Sequence, residues 1–200
     1  MKIVVAQKEE IDKLSGILTE SMSLDPMCLY TFGDVEQHHR YCRGFWKASL
    51  EYAFRFGTVL ATEDGSGCLS LVHPGHSDFT FAELLATGFG VPLSILRFPY
   101  RQMRIALDVF PRLATLQHEI LPDPHWYVLT LGVIPEEQGK GIGKGLLDRM
   151  LRIVEAAKNP VYLETETEKN VALYKKYGFE VARKIVFEKY GLDYYLMVRK

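Results

Sequence analysis

Cysteine is scarce in this chain of 200 residues, and the sequence lacks the spacings that turn cysteine or histidine into metal ligands. Cys28, Cys42 and Cys68 are odd in number and form no CxxC or Cys/His pattern, so neither a disulfide framework nor a structural zinc site is predicted. No histidine pair has the HExxH spacing. We therefore expect reduced, buried thiols and no bound metal.

An excess of charge of one sign is also absent. The chain has 24 Lys+Arg against 25 Asp+Glu, and a formal net charge of −1 recommends neither nucleic acid nor an anionic membrane as the main partner. The longest span free of charged side chains, Leu84 to Leu96, falls well short of the ~20 residues that cross a bilayer. Lys8 ends the short apolar stretch at the N-terminus. The sequence thus predicts a soluble cytoplasmic protein, with residues 1–200 forming one domain.

Strand-like and helix-like patterns alternate in the first half of the chain. "KIVVA" predicts a strand, and apolar residues at helical spacing over 11–18 predict a helix that Asp25-Pro26 interrupts. A second helix is predicted over 35–56, followed by a β-hairpin at "GTVLATEDGSGCLSLVHP". Residues 79–121 form a helical insertion in which several short helices are expected, because three prolines interrupt it: Pro92, Pro99 and Pro111.

The second half alternates more regularly. A strand, "HWYVLTLGVIP", has few polar side chains and is followed by a glycine loop and an amphipathic helix beginning near Ile142. "PVYLETE" predicts a further strand, Glu168 to Tyr177 a helix, and "FEVARKIVFE" with "LDYYLMVRK" a closing strand pair. This order indicates an α/β domain with a mixed sheet.

The glycine loop lies in "EEQGKGIGKGLLDRM", and its composition is suited to binding an anion. It is not a Walker A loop, because Gly143-Lys144 is followed by glycine where a Ser or Thr hydroxyl binds Mg²⁺. It is not a GxGxxG fingerprint, because Lys144 or Leu146 occupies the last glycine position. The remaining pattern, Gln138-x-x-Gly141-x-Gly143 before a helix, lets successive main-chain N–H groups turn toward a pyrophosphate.

This arrangement resembles the GCN5-related N-acetyltransferase (GNAT) superfamily, whose acyl-CoA loop has the pattern Q/R-x-x-G-x-G/A. A closer resemblance is to its puromycin N-acetyltransferase-like branch, carried in order by "PHWYVLTLGVIP", "QGKGIG", "YLETETEKN", "LYKKYGF" and "YYLMVRK". These motifs cover residues 124–200, whereas 79–121 match nothing in the family pattern. The resemblance implies a mixed, mostly antiparallel sheet of about seven strands flanked by helices, with the fourth and fifth strands splayed apart.

The resemblance also implies an acetyl-CoA site. The pantetheine arm would pair with the fourth strand, through main-chain groups of Leu131 and Val133, and Gly132 is expected to relax that strand or to be a bulge glycine. Lys140 or Lys144 would add charge, and Asn170 would contact the cofactor arm or cap the following helix. The pyrophosphate would bind the main-chain N–H groups of Gln138, Gly139, Lys140, Gly141, Ile142, Gly143 and Lys144.

Acetyl transfer requires a neutral amine, whereas an alkyl amine with a pKa near ~10.4 is charged at neutral pH. By motif position Tyr174 is expected to protonate the CoA sulfur, with Tyr177 as the fallback. The fourth strand carries no carboxylate, so Glu164 is the expected base, directly or through water, and Glu166 lies on the same strand face. The remaining candidates for a base or substrate ligand are His73, His118 and His125.

The predicted function is transfer of the acetyl group of acetyl-CoA to a primary amine of a small molecule, without a metal. An aminonucleoside, an amino-acid-like compound or a polyamine would suit, and a homodimer is possible. A protein or peptide amine is the alternative acceptor, and a non-catalytic acyl-CoA sensor is the alternative class. A nucleotide-dependent kinase is disfavoured by the missing Ser or Thr.

Overall fold

The computed structural model describes residues 1–32, 35–87 and 100–200, in which one seven-stranded sheet forms the centre. The strands are β1 (Ile3–Val5), β2 (Gly57–Thr62), β3 (Gly67–Val72), β4 (Trp126–Val133), β5 (Val161–Thr165), β6 (Glu180–Phe187) and β7 (Leu192–Arg199). Their order is β1-β2-β3-β4-β5-β7-β6, with β4 and β5 parallel and all other neighbours antiparallel. The predicted mixed, mostly antiparallel sheet is confirmed.

Helices cover both faces of this sheet. They are α1 (Ile11–Ser21), α2 (Pro26–Phe32), α3 (Val35–Phe56), α4 (Phe81–Ala86), α5 (Tyr100–Ile120), α6 (Ile142–Val154) and α7 (Glu168–Lys175). Buried residues of α1, α2, α3 and α5 form one core, and those of α6 and α7 form the core on the opposite face. Alternation along β7 serves both cores, because Tyr194 and Leu196 face the first and Tyr195 and Met197 the second.

The break between α1 and α2 falls where Asp25-Pro26 predicts it. Pro26 is the first residue of α2, a position where its missing N–H costs no helical hydrogen bond. A carboxylate oxygen of Asp25 accepts the N–H of Cys28 at 3.0 Å and caps the helix. The thiols of Cys28, Cys42 and Cys68 are reduced and buried, as the sequence predicts.

The expectation of several short helices is wrong for residues 100–120, because α5 is continuous through Pro111. Proline removes one i to i−4 hydrogen bond, and the carbonyl left without a donor is that of Leu107, whose side chain is 73% exposed. Water can therefore satisfy that carbonyl. Burial of the apolar stripe Ile105, Val109, Leu113 and Leu116 holds the helix together on its other side. Pro92 and Pro99 lie outside the described residues.

The sheet opens between β4 and β5. β5 pairs with β4 only from Trp126 to Val128, whereas β4 continues beside β3 as far as Val133. The register with β3 shifts at Leu129, which is the extra residue of a β-bulge. Beyond this bulge, no strand of the described residues pairs with β4 on its β5 side, which confirms the predicted splay. Among the described residues, no helix is long and apolar enough to cross a membrane.

Candidate active site

The free edge of β4 presents main-chain groups to the opening. The N–H of Ile134 donates to the Ser66 carbonyl at 3.0 Å, so this residue faces β3. Strand groups alternate in direction, and the N–H and C=O groups of Leu131 and Val133 therefore point away from β3 into the gap. The Gln138 amide donates to the Val133 carbonyl at 3.1 Å, which ties the glycine loop to the end of this edge.

Gly132 has a different role from the one expected. A Cβ there would lie 2.3 Å from Ser21 Oγ and 2.9 Å from Leu18 Cδ2, so its absence allows α1 to approach the strand. The bulge is at Leu129, and the register is regular at Gly132. The expectation of a bulge at Gly132 is therefore wrong, and the glycine allows close packing of α1; that it also relaxes the strand remains a prediction.

The glycine loop exposes main-chain donors. Gly139 and Gly141 have φ of 81° and 87°, a left-handed conformation that favours glycine, and no heavy atom lies within 4 Å of where their Cβ atoms would be. Gly141 is the N-cap residue of α6, and among the described residues no side chain caps this helix. Ile142, Gly143 and Lys144 therefore present the N–H groups of an uncapped first turn beside an exposed loop.

The two lysines of the loop differ in their partners. Lys140 Nζ lies 2.8 Å from Glu137 Oε1, an ion pair within the loop itself. Within the described ranges, no carboxylate lies within 4.0 Å of Lys144, whose side chain is exposed. Lys144 therefore carries the less compensated positive charge at the start of α6.

Asn170 does not cap α7. The N-cap is Thr167, whose hydroxyl accepts the Asn170 N–H at 3.2 Å. Asn170 lies in the first turn of the helix with a partly exposed side chain, so the capping alternative is wrong and contact with the cofactor arm remains a prediction.

Tyr174 of α7 is 7% exposed and packs edge-on against Phe179. Within residues 1–32, 35–87 and 100–200 its hydroxyl makes no hydrogen bond. Burial, and secondarily the charge of Glu166, raises the pKa of Tyr174 above its usual range, which keeps the hydroxyl protonated. The fallback residue, Tyr177, instead donates to the Lys144 carbonyl at 3.4 Å and links α7 to α6.

Glu164 lies next to the last residue of β5 that pairs with β4. Its two carboxylate oxygens accept the hydroxyls of Tyr162 at 2.9 Å and of Tyr127 at 3.3 Å. Burial raises the pKa of Glu164 to about 7, although both tyrosine hydrogen bonds act in the opposite direction. A carboxylate with this pKa is suited to accept a proton near neutral pH.

A second carboxylate, that of the partly buried Glu166, follows directly after the end of β5. Burial raises the pKa of Glu166 well above its usual range, and the charges of Asp25 and Glu164 raise it further. Tyr194 of β7 lies beside Glu166 and partly offsets this rise. A group of tyrosines and carboxylates thus surrounds the opening on the side of α1–α3. Sequence reasoning did not assign a site role to four of its members: Asp25, Tyr127, Tyr162 and Tyr194.

The three candidate histidines have structural partners. His73 bonds Thr58 at 2.9 Å, and burial lowers its pKa. His125 lies between Gln117 and the Asp123 carbonyl, both at 2.8 Å, and His118 is on the surface 4.0 Å from Asp78. His73 and His125 adjoin the Trp126 end of β4, roughly 17 Å along the strand from Leu131. In the part of the chain that the structure describes, no three His, Cys, Asp or Glu side chains are grouped for a metal.

Comparisons with known proteins agree with this fold. Residues 110–181 match the family model described as an acetyltransferase (GNAT) domain. An uncharacterized N-acetyltransferase of Schizosaccharomyces pombe is 25% identical over 183 residues, which cover 86% of this chain and 72% of that protein. The N-alpha-acetyltransferase RimI of Mycobacterium tuberculosis is 38% identical over 82 residues, which cover 39% of this chain and about half, 51%, of that protein.

Solved structures share the architecture over nearly the whole chain. A Corynebacterium glutamicum structure, described as histone acetyltransferase HPA2 and related acetyltransferase, has a TM-score of 0.66 and 19% identity, covering 99% of this chain and 94% of that one. A PaiA N-acetyltransferase of Thermoplasma acidophilum, solved in complex with coenzyme A, has a TM-score of 0.57 and 16% identity, covering 100% and 98%. Residues 110–181 thus match a GNAT acetyltransferase domain, and the fold of the chain is shared with solved acetyltransferase structures.

Proposed function

We propose that this protein transfers the acetyl group of acetyl-CoA to the primary amine of a small molecule. The observation that supports this most directly is the free edge of β4, which opens beside Glu164 and ends at an uncapped, glycine-rich helix N-terminus. One elongated thioester ligand can use all of these features, because its phosphates and its acyl group lie at opposite ends.

The residues present fit acetyl-CoA. The main-chain N–H of Gln138 already donates to the Pro135 carbonyl at 3.2 Å, which corrects its predicted part in the donor set. The pyrophosphate would bind the N–H groups from Gly139 to Lys144, where no Cβ at Gly139 or Gly141 obstructs approach. The pantetheine arm would pair with Leu131 and with the N–H of Val133, since the Val133 carbonyl already accepts from Gln138. These donors are main-chain groups, so they are positioned before the ligand arrives.

Glu164 then acts as the base, directly or through one water. Its carboxylate takes a proton from the bound ammonium, and the freed nitrogen lone pair forms a C–N bond to the acetyl carbon. The N–H of Leu131 or Val133 stabilises the developing oxyanion. As the C–S bond breaks, Tyr174 gives its hydroxyl proton to the sulfur and is reprotonated from solvent, while the product nitrogen loses its remaining extra proton to water. The proton held by Glu164 returns to solvent.

A release assay for free CoA thiol tests this function. Purified protein and acetyl-CoA are incubated with small primary amines, an aminonucleoside, peptides with free N-termini and a lysine peptide. CoA release with small amines supports the proposal. Binding of acetyl-CoA without transfer to any acceptor would contradict it and favour a sensor.

Transfer to peptide N-termini is the second candidate. It is favoured by the 38% identity to RimI of Mycobacterium tuberculosis, an N-alpha-acetyltransferase, over a segment of 82 residues. Release of CoA with peptides and not with small amines would support it.

A further inference from the structure

We propose that Tyr127 and Tyr162 are positioning residues, whose hydroxyl groups hold the Glu164 carboxylate in one orientation and in its charged form. This rests on the proposed function, because it concerns the group that takes the proton from the amine. The Tyr162 hydroxyl donates to one carboxylate oxygen at 2.9 Å, and the Tyr127 hydroxyl donates to the other at 3.3 Å. Each oxygen of the base is therefore held by a tyrosine of its own.

The pairing of β4 with β5 brings the two donors together. Tyr127 and Tyr162 are partners across this parallel pair, and their ring centroids lie 5.6 Å apart. Glu164 follows Tyr162 by two residues in β5, so both side chains lie on one face of the sheet. One donor comes from the same strand as the base and the other from its neighbour, so the sheet itself sets the place where they meet the carboxylate.

Both tyrosine rings are fixed by further aromatic contacts. Tyr162 is fully buried and meets the His125 ring edge-on, with 5.9 Å between the centroids. Tyr127 meets the Phe79 ring edge-on at the same distance, and Phe79 packs 4.5 Å from Tyr52 on its other side. The φ of Phe79 is 47°, a left-handed conformation that is uncommon for a bulky side chain and persists only where the surroundings enforce it. Packing therefore holds the two rings in place.

The tyrosines leave part of the carboxylate available. An ionised carboxylate has about four lone-pair positions, and the two hydroxyl groups occupy two of them. The side chain of Glu164 is partly exposed, whereas Tyr127 and Tyr162 are buried. The remaining lone pairs can therefore accept a proton from an amine or from a bridging water while the tyrosines keep their hydrogen bonds.

The other groups around Glu164 oppose its charge. Burial raises its pKa to about 7, and the two tyrosine hydrogen bonds act in the opposite direction. Glu166 follows β5 and Tyr194 faces the carboxylate from β7, and Asp25, which precedes α2, acts on both of them. Among the described residues, no lysine or arginine is one of the groups that shift the pKa of Glu164, Glu166 or Tyr194. The two hydroxyl groups are therefore what favours a charged Glu164 near neutral pH.

The direct test is a carbon-13 NMR titration of the Glu164 carboxyl group, with Glu164→Gln to assign its signal. A hydrogen bond to a charged group changes the pKa of its acceptor by about one to two pH units. Tyr162→Phe should therefore raise the pKa of Glu164 by at least about one pH unit. Tyr127→Phe should raise it less, because its hydrogen bond is longer. Tyr195→Phe is the matched control, because this buried strand tyrosine donates to Glu168 at 3.2 Å and should leave the titration of Glu164 unchanged.

The kinetic readout is the ratio of variant to wild-type kcat/KM across pH, measured with the small primary amine that releases CoA fastest in the assay above. This ratio cancels the ionisation of the amine itself. For Tyr162→Phe we expect a ratio of about 0.1 at pH 6 that approaches about 1 at pH 9, because high pH restores the charged carboxylate. Lost packing alone would lower the ratio equally at every pH, and Tyr195→Phe should show no pH dependence of the ratio.

An unchanged Glu164 titration in both Tyr127→Phe and Tyr162→Phe, or a ratio independent of pH in Tyr162→Phe, would overturn the proposal. If no amine gives CoA release, the proposed function fails, whereas shifted titrations would still support the two tyrosines as the groups that hold the charged carboxylate. Acetyl transfer by the wild type together with unshifted titrations would leave the proposed function intact and refute the positioning role.

Discussion

Replacing Glu164 by glutamine tests the chemistry of the site most directly. Glutamine keeps the size of the side chain and an oxygen that can accept the Tyr162 hydroxyl, but it cannot take a proton from an ammonium group. The amide group can donate to the Tyr127 hydroxyl, so both tyrosines keep a partner. The variant therefore removes the base with little change in packing.

The expected loss of activity follows from the role of the base. A positioned general base contributes typically ~10²- to 10⁴-fold, so kcat/KM for the amine should fall within that range. The pKa of Glu164 is raised to about 7, so wild-type kcat/KM should rise with pH up to about 7 and then level off. In Glu164→Gln this inflection should disappear.

Although Glu164→Gln should lower activity, it should raise the free energy of unfolding at neutral and alkaline pH. Burial raises the pKa of Glu164 from its ordinary 4.5 to about 7, so the fold favours the neutral acid. This contribution is fully present below pH 4.5 and is lost as pH rises through 7. At roughly 1.4 kcal/mol per pH unit the loss is ~3 kcal/mol, so above pH 7 glutamine should raise the free energy of unfolding by up to that amount.

Initial rates of CoA release from pH 5.5 to 9 and urea unfolding at pH 5 and pH 8 measure both effects. Glu168→Gln, an exposed glutamate on α7, is the control for loss of one negative charge. A Glu164→Gln variant with kcat/KM within threefold of the wild type and an unchanged inflection would refute the assignment of Glu164 as the base. Unchanged stability at pH 8 would refute the raised pKa.

Three further substitutions test the rest of the site. Gly143→Ala should raise the KM for acetyl-CoA about tenfold. It should not lower stability, because the nearest atom to the new Cβ would lie 3.9 Å away. The control, Gly16→Ala in α1, should raise the free energy of unfolding by up to ~1 kcal/mol and leave KM unchanged. Tyr174→Phe should lower kcat by ~10²-fold with little change in melting temperature, since its hydroxyl has no partner among the described residues; an unchanged kcat would contradict the acid role. Gly132→Ala should cost about 1–3 kcal/mol in urea unfolding, and Ser21→Gly should recover part of it, because Ser21 Oγ would lie 2.3 Å from the new Cβ.

The glycine loop, which is the proposed donor half of the site, could be predicted from the sequence because its geometry is local. The glycine loop joins the end of β4 directly to the start of α6, so its residues are neighbours in the chain as well as in space. The turn Asp64-Gly65-Ser66-Gly67 is local in the same sense, because the Asp64 carboxylate accepts hydrogen bonds from the N–H and the hydroxyl of Ser66 within one hairpin. The geometry of such motifs and turns is determined by residue type and spacing along the chain.

The acceptor half could be predicted only in part, because it depends on pairing between distant strands. Alternation places Tyr162 and Glu164 on one face of β5, but the arrival of Tyr127 and Tyr194 on that face requires the strand order. The continuity of α5 through Pro111 could not be predicted for a related reason, because burial of one face of the helix outweighs the lost hydrogen bond. The local sequence pattern does not contain such tertiary contributions.

Both halves of the site arise from the divergence of β4 and β5. Where β5 leaves β4, the edge beyond Leu129 loses its partner strand and becomes available to a pantetheine arm. The same divergence leaves Glu164 next to the last β5 residue that pairs with β4, on the face of α1–α3, while Tyr174 belongs to the core on the face of α7. An acyl group held in the gap is therefore approached by the amine from one face of the sheet and gives up its sulfur toward the other. In the mechanism that we propose, the proton taken from the amine and the proton given to the sulfur are thus handled by residues on opposite faces of the sheet, and neither residue has to exchange roles during the reaction.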